Sequence, residues 1–488
     1  MTEEPTPDAT THAPPPGATA ELTWEGPDDR LDYTATAGWT VLRKDEQPAA
    51  EVFSVSYVVD APERPVTFVF NGGPGASSAY LHMGAVGPKR VDLPSDGSLP
   101  TMPPRLVENE ASWLPFTDLV FVDPVGTGFS RIIRPEGDGK DGHDPQEYYG
   151  VKRDLESLGE FMGRWLSDND RWGSAVFIAG ESYGGYRVGR LARMLQESTG
   201  IGLNGAILIS PALEVTPLSP TDYDMVGWID TLPVMALAAA HHGRSQAFGP
   251  DDDPAEVAAT AEAFATGDYA RFLTQGASMD PEERGAVIGR QAALLGLPVD
   301  EIERAEGRIT IRAFARGLLR DERQVLGLYD ATISVTDPFP DRESFLGPDP
   351  TLSGSTAAYT TAVNQLLRSI IGVETDREYR VLSYEINQAW KVDMERHAFA
   401  PAEGATDDFR YGMALNPHLR AFVTHGVHDL VTPYFASDRL RNLMRLDPGM
   451  ADRLTVRHFA GGHMFYAKEA SRRAFTAAIA DFVADALG

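Results

Sequence analysis

The chain has 488 residues, 42% of them hydrophobic, no cysteine, and a formal net charge of −28 from 43 Lys+Arg against 71 Asp+Glu. At roughly 100–200 residues per domain, the length allows several domains or one large α/β unit carrying an insertion. The acidic excess disfavours nucleic acid and anionic membranes as partners, and the lack of cysteine excludes disulfides, thiolate catalysis and Cys-ligated zinc.

In chain order, residues 1–20 hold almost nothing that could be buried and read as a disordered leader. They lack the basic and apolar regions of a signal peptide, and no later run of about 18 apolar residues could span a membrane. The expected compartment is the cytoplasm, with export by an unseen route left open. Strand signals, runs of β-branched and aromatic residues, follow at 51–60 (EVFSVSYVVD), 65–70 (PVTFVF), 118–123 (DLVFVD), 175–179 (AVFIA), 205–210 (GAILIS), 420–424 (RAFVT) and 454–459 (LTVRHF). Between them apolar residues recur at helical spacing: Val151, Leu155, Leu158, Met162, Trp165 and Leu166; Leu191 and Leu195; Phe475, Ile479, Phe482 and Val483. That alternation implies a mostly parallel sheet with helices on both faces.

Residues 213–416 break the alternation, with helical spacing at 255–265, 284–295, 311–326 and 357–371. The expected organisation is therefore a leader (1–20), the first part of an α/β core (21–212), a helical cap insertion (213–416) and the second part of the core (417–488).

Gly180-Glu181-Ser182-Tyr183-Gly184 follows one strand run and opens a helix, the setting of a nucleophile elbow. A serine hydroxyl needs a histidine to take its proton, and that histidine needs an acid to orient it. Asp429 follows the strand at 420–424, and His463, in Gly461-Gly462-His463-Met464, follows the next, giving the order Ser, Asp, His. Asn71-Gly72-Gly73-Pro74-Gly75 follows the strand at 65–70, where Gly73 would offer a backbone N–H to an oxyanion beside that of Tyr183. The weaker rivals are His458, expected within a strand, and Asp438 and Asp447. His425-x-x-His428-Asp429 also suits metal ligands but lacks a third ligand at motif spacing.

The segments NGGPGASS (71–78), SWLPFTDLVFVDPVGTGFS (112–130), GESYGG (180–185), 426–433 and 461–464 together resemble, in order, those of the serine carboxypeptidase family. The resemblance implies an α/β-hydrolase fold, a Ser182–Asp429–His463 triad, an oxyanion hole from Gly73 and Tyr183, no cofactor or metal, and a peptide substrate with a free C-terminus. It also implies that Asn71, Gly72 and Glu181 bind the terminal carboxylate. The chain departs from the family at Ala85, where a glutamate would share a proton with Glu181. It departs again at Ala76, often cysteine, at Val69, often tryptophan, and at Phe465-Tyr466, where Val-Pro is common. A lone Glu181 ionises near its ordinary value unless buried and would then repel a carboxylate, unless Lys89, Arg90 or Arg187 helps. With His463 as the titrating base, the expected pH optimum is near neutral.

The expected function is hydrolysis of C-terminal peptide bonds through an acyl-enzyme. The alternative is a serine esterase or acyltransferase on the same triad, and a third reading is a binding protein on a hydrolase scaffold. A homodimer is allowed, and the sequence fixes no oligomeric state.

Overall fold

The β-branched and aromatic runs become strands of one large sheet in the computed structural model, which describes residues 12–27, 29–61, 63–94, 100–133, 145–342, 349–391 and 404–488. The strands are β1 (Ala18–Glu25), β2 (Arg30–Lys44), β3 (Gln47–Val58), β4 (Val66–Phe70), β5 (Lys89–Val91), β6 (Leu106–Glu108), β7 (Asp118–Val122), β8 (Arg131–Ile132), β9 (Val176–Glu181), β10 (Gly205–Ile209), β11 (Gln324–Leu326), β12 (Ser334–Thr336), β13 (Arg420–Thr424) and β14 (Leu454–Val456). The main sheet runs β1-β2-β3-β7-β4-β9-β10-β13-β14, with β8 beside β3, while β5–β6 and β11–β12 are separate pairs. From β7 to β14 every pairing is parallel; β1, β2 and β3 form an antiparallel flank joined to β7.

Successive residues of the parallel strands enter different cores, as period-2 geometry requires. On β9, Phe177 and Ala179 join one apolar cluster while Val176 and Ile178 join the other; on β10, Ile207 and Ile209 oppose Ala206 and Leu208. The helices Val151–Asp168 and Tyr183–Met194 cover one face, and Glu469–Leu487 covers the opposite one. The covered, mostly parallel sheet is the one expected from the alternation of elements, and the architecture is the α/β-hydrolase fold that the resemblance implies.

Three expectations change. Residues 1–11 of the expected leader lie outside the described residues, but β1 already begins at Ala18, because β2 pairs with it along its whole length. Nor is the stretch 213–416 a single cap. The cluster built from Trp228 to Ala331, closed by Leu430, Tyr434 and Phe435, has its own core, whereas Ala358–Val381 side chains and Ala405–Met413 side chains pack back onto the two sheet faces. Sequence spacing records that a helix has an apolar stripe but not which core it fills. The helical spacing at 311–326 also breaks: the helix Ile311–Gly317 ends before a left-handed Arg323 (φ 56°), and β11 follows.

Candidate active site

Ser182 stands between the end of β9 and the helix Tyr183–Met194 with φ 62° and ψ −123°, a backbone conformation that a non-glycine residue holds only when its surroundings enforce it. Three hydrogen bonds do so: Ser182 N–H donates to the Ile209 carbonyl (2.9 Å), and the Ser182 carbonyl accepts from Gly185 N–H (2.9 Å) and Ala212 N–H (3.1 Å). The Gly-rich turn after β4 lies against this elbow. A Cβ at Gly72 would sit 2.4 Å from the Tyr183 nitrogen, so only glycine lets that turn reach the helix N-terminus, whose first N–H groups have no intrahelical partner. Gly73, at φ 95°, is the next residue of the turn.

Asp429 and His463 meet on the loops after β13 and β14. The His463 Nδ1 lies 2.6 Å from Asp429 Oδ2, and both side chains are buried. The remaining lone pairs of Asp429 are filled: Oδ1 accepts from the N–H groups of Val431 (2.8 Å) and Thr432 (3.1 Å), and Oδ2 accepts from the Thr432 hydroxyl (2.6 Å). Burial disfavours a charged His463, but the charge and hydrogen bond of Asp429 outweigh it, so the imidazole pKa is raised above 6.5. With Nδ1 engaged by Asp429, Nε2 is left as the ring's base.

Glu181, the last residue of β9, is buried beside the pair. Its Oε2 accepts a short hydrogen bond from Asn71 Nδ2, and Asn71 Oδ1 accepts from Leu81 N–H at 3.0 Å. Burial pushes its carboxyl up to about 7, against opposing pulls from His463, Tyr466 and Asn71. The sequence offered Lys89, Arg90 and Arg187 as helpers, but these are engaged elsewhere. Lys89 pairs with Glu108 and Arg90 lies 3.5 Å from Asp92. Arg187 is buried in a two-pronged bond to Asp154 (2.7 and 3.0 Å) and donates to the Asn71 carbonyl (2.6 Å). Lys89 and Arg90 stand near Ala85 in the sequence and Arg187 near Glu181, but in the fold each cation is paired with another acid.

Several contributors were invisible in the sequence. Thr432 holds Asp429, and the Ser210 hydroxyl donates to the His463 carbonyl at 2.8 Å. Residues 328–331 lace both loops together: Leu430 N–H donates to the Leu328 carbonyl (3.1 Å), His463 N–H to the Tyr329 carbonyl (2.5 Å), and Ala331 N–H to the His428 carbonyl (3.0 Å). No motif marks these residues, since their part is played by backbone. The rival His458 lies past the end of β14, not within it, and pairs with Asp438 at 3.2 Å. His425 is structural, with its ring nitrogens at 3.0 Å from the Thr432 carbonyl and 2.8 Å from the Ser437 hydroxyl. A cavity of about 390 Å³ opens behind the Asp429–Thr432 loop, but neither Ser182 nor His463 lines it, so it is not the cleft above the serine.

The comparisons with known proteins bear on the family and the fold. The family model for serine carboxypeptidase matches residues 40–225. Serine carboxypeptidase-like 36 of Arabidopsis thaliana is 30% identical over 188 residues, covering 38% of this chain and 36% of that protein. Pheromone-processing carboxypeptidase KEX1 of Yarrowia lipolytica is 33% identical over 150 residues, covering 30% of this chain and 21% of that protein. The matched stretch thus spans about a third or less of either relative's length. Among solved structures, a prohormone-processing carboxypeptidase, Kex1(delta)p of Saccharomyces cerevisiae, shares the fold with a TM-score of 0.57 at 14% identity, covering 93% of this chain and 92% of that one. Over residues 40–225 the chain is thus similar to the serine carboxypeptidase family, and its architecture is that of an α/β hydrolase.

Proposed function

We propose that the protein is a serine carboxypeptidase that hydrolyses the C-terminal peptide bond through an acyl-enzyme on Ser182. The observation that carries this reading is the buried 2.6 Å bond between His463 and Asp429, on loops of the same sheet edge as the strained Ser182 elbow. In this reading His463 Nε2 takes the Ser182 proton as the hydroxyl attacks the peptide carbonyl and returns it to the leaving amine. Asp429 orients the imidazole and stabilises the imidazolium. The N–H groups of Gly73 and Tyr183 hold the oxyanion, each such donor being worth about 2.7–4 kcal/mol in the transition state. Water then repeats the sequence on the ester, and no metal or organic cofactor enters.

The substrate is a peptide with a free C-terminus, bound at Asn71, Gly72 and Glu181. An esterase or acyltransferase on the same triad is the second reading, favoured by Ala85, which leaves Glu181 without a carboxyl partner. The test is turnover of an N-blocked dipeptide beside its C-terminal amide and a simple ester, in wild type and Ser182→Ala. Carboxypeptidase function requires preference for the free acid and a loss of about 10⁶-fold in kcat on removing the hydroxyl, with the melting temperature kept. Faster turnover of the ester than of any peptide favours the second reading, and full activity in Ser182→Ala overturns the serine mechanism altogether.

A further inference from the structure

The residue after the Met464 that follows the histidine begins a 3-10 turn, Phe465–Ala467, and its second member, Tyr466, is fully buried. The turn is held by Arg472, which donates to the Tyr466 carbonyl at 2.9 Å. A Cβ at Gly84 would lie 2.9 Å from the Tyr466 ring and 2.6 Å from the Tyr359 hydroxyl. Both rings therefore lie against the turn His82–Val86, the turn that carries Ala85.

Two buried polar atoms here have no hydrogen-bond partner among the described residues: the Tyr466 hydroxyl and Glu181 Oε1. The phenol and carboxyl face each other closely enough to interact through charge and through a hydrogen bond of poor geometry, which leaves neither atom with a full partner. A buried polar atom without a full partner is costly, and two such atoms facing one another beside a nucleophile are placed to gain from a ligand that brings acceptor oxygens to them.

We propose that Tyr466 supplies the second hydrogen-bond donor to the substrate's terminal carboxylate, taking over from the side chain missing at Ala85 and acting together with Glu181. This rests on the carboxypeptidase reading and deepens it. Because Asn71 Nδ2 donates to Oε2, the proton of a neutral Glu181 resides on Oε1, the atom left open. Glu181 and Tyr466 then present two O–H donors, which a carboxylate accepts through its two oxygens. Tyr466 is buried and surrounded by Glu181, Tyr359 and Tyr80, so burial first, then those neighbours, keep its phenol protonated far above its ordinary value of 10.0. It is a donor at any working pH. Glu181 faces His463, Asp429, Tyr466 and Asn71 around its own carboxyl, and Tyr80 and Tyr359 beyond; it donates only below about pH 7, where burial keeps it neutral.

The experiment uses the full chain and an N-blocked dipeptide as free acid and as C-terminal amide, with kcat and KM followed from pH 5 to 8.5. In Tyr466→Phe the kcat/KM ratio of acid over amide is expected to fall at least about tenfold, through KM for the acid, since a hydrogen bond to a charged group is lost. A purely structural role would lower acid and amide together and leave the ratio unchanged, which overturns the proposal. As a second measure that needs no change at Tyr466, KM for the acid in wild type is expected to rise as pH passes about 7, and in Glu181→Gln to be independent of pH there. A wild-type enzyme that prefers the acid while Tyr466→Phe keeps the ratio sinks the Tyr466 inference alone. A wild type with no preference for the acid, yet labelled at Ser182 by a fluorophosphonate, sinks the carboxypeptidase reading with it.

Discussion

Thr432 supplies two of the four hydrogen bonds that the Asp429 carboxylate receives, one from its backbone and one from its hydroxyl at 2.6 Å. The hydroxyl lies close to His463 Nδ1 as well, at 3.1 Å, so it helps fix where the carboxylate sits relative to the ring. Thr432→Val keeps the shape and removes the donor. A hydrogen bond to a charged group is worth about 1.5–3 kcal/mol, so kcat/KM should fall about ten- to a hundredfold, mainly in kcat, with recovery in Thr432→Ser. Wild-type kcat in the valine variant would show that backbone donors alone hold Asp429.

At the scale of elements, the loops after β13 and β14 are tied to each other by residues 328–331, from the end of the cap cluster. Gly462 is the position where this contact is closest. A Cβ there would fall 2.0 Å from the Tyr329 carbonyl oxygen and 2.4 Å from the Asp330 Cα, backbone atoms that cannot turn aside. Gly462→Ala must therefore displace the loop that carries His463. A shift of about 1 Å at a reacting group costs on the order of a hundredfold, so kcat is expected to drop by about that much. Far-UV circular dichroism should remain that of the wild type, because the sheet itself is untouched. Unaltered kcat in this variant would mean that the lacing is not needed to position His463.

Over the whole molecule, the net charge of −28 and the buried carboxyls push stability in one direction. Glu181 titrates near 4.5 when exposed and near 7 in the fold, and Asp123 moves from 3.8 to about 7, both through burial first. For each the folded value is raised, so the stability that goes with the neutral form is complete below the unfolded value and is lost as pH rises through about 7. The melting temperature should therefore decline between about pH 4 and 7. Salt screens the repulsion among surface charges but leaves the cost of burying a charge largely intact. In high salt the remaining slope belongs to the buried groups, and Glu181→Gln should flatten part of it. An identical slope in that variant would mean that Glu181 is ionised in the fold without penalty.

The local features were legible in the sequence because they depend on local chemistry. Continuous apolar runs marked the buried parallel strands, and the setting of Gly180–Gly184 between strand and helix marked the elbow; the chain order of Ser182, Asp429 and His463 anticipated the loops on which Asp429 and His463 meet. β1 and β2 were not read, because ATAELTWE and RLDYTATAGWTVLRK intersperse apolar residues with polar and charged ones and give no continuous apolar run. The split of residues 213–416 between a cap and the two sheet faces was equally hidden, since an apolar stripe does not name the core it enters. The surroundings of Glu181 show the limit most clearly. Its lost partner at Ala85 could be read from sequence, and nearby cations looked like replacements, but Asp154, Glu108 and Asp92 take those cations while Tyr466 faces the carboxyl. Sequence by itself determined which residues can do chemistry and on which kinds of element they stand, because periodicity and motif order are properties of the chain. Tertiary structure alone decided which of them meet and which are buried, and therefore which are charged, because burial and partnership are set by residues hundreds of positions apart.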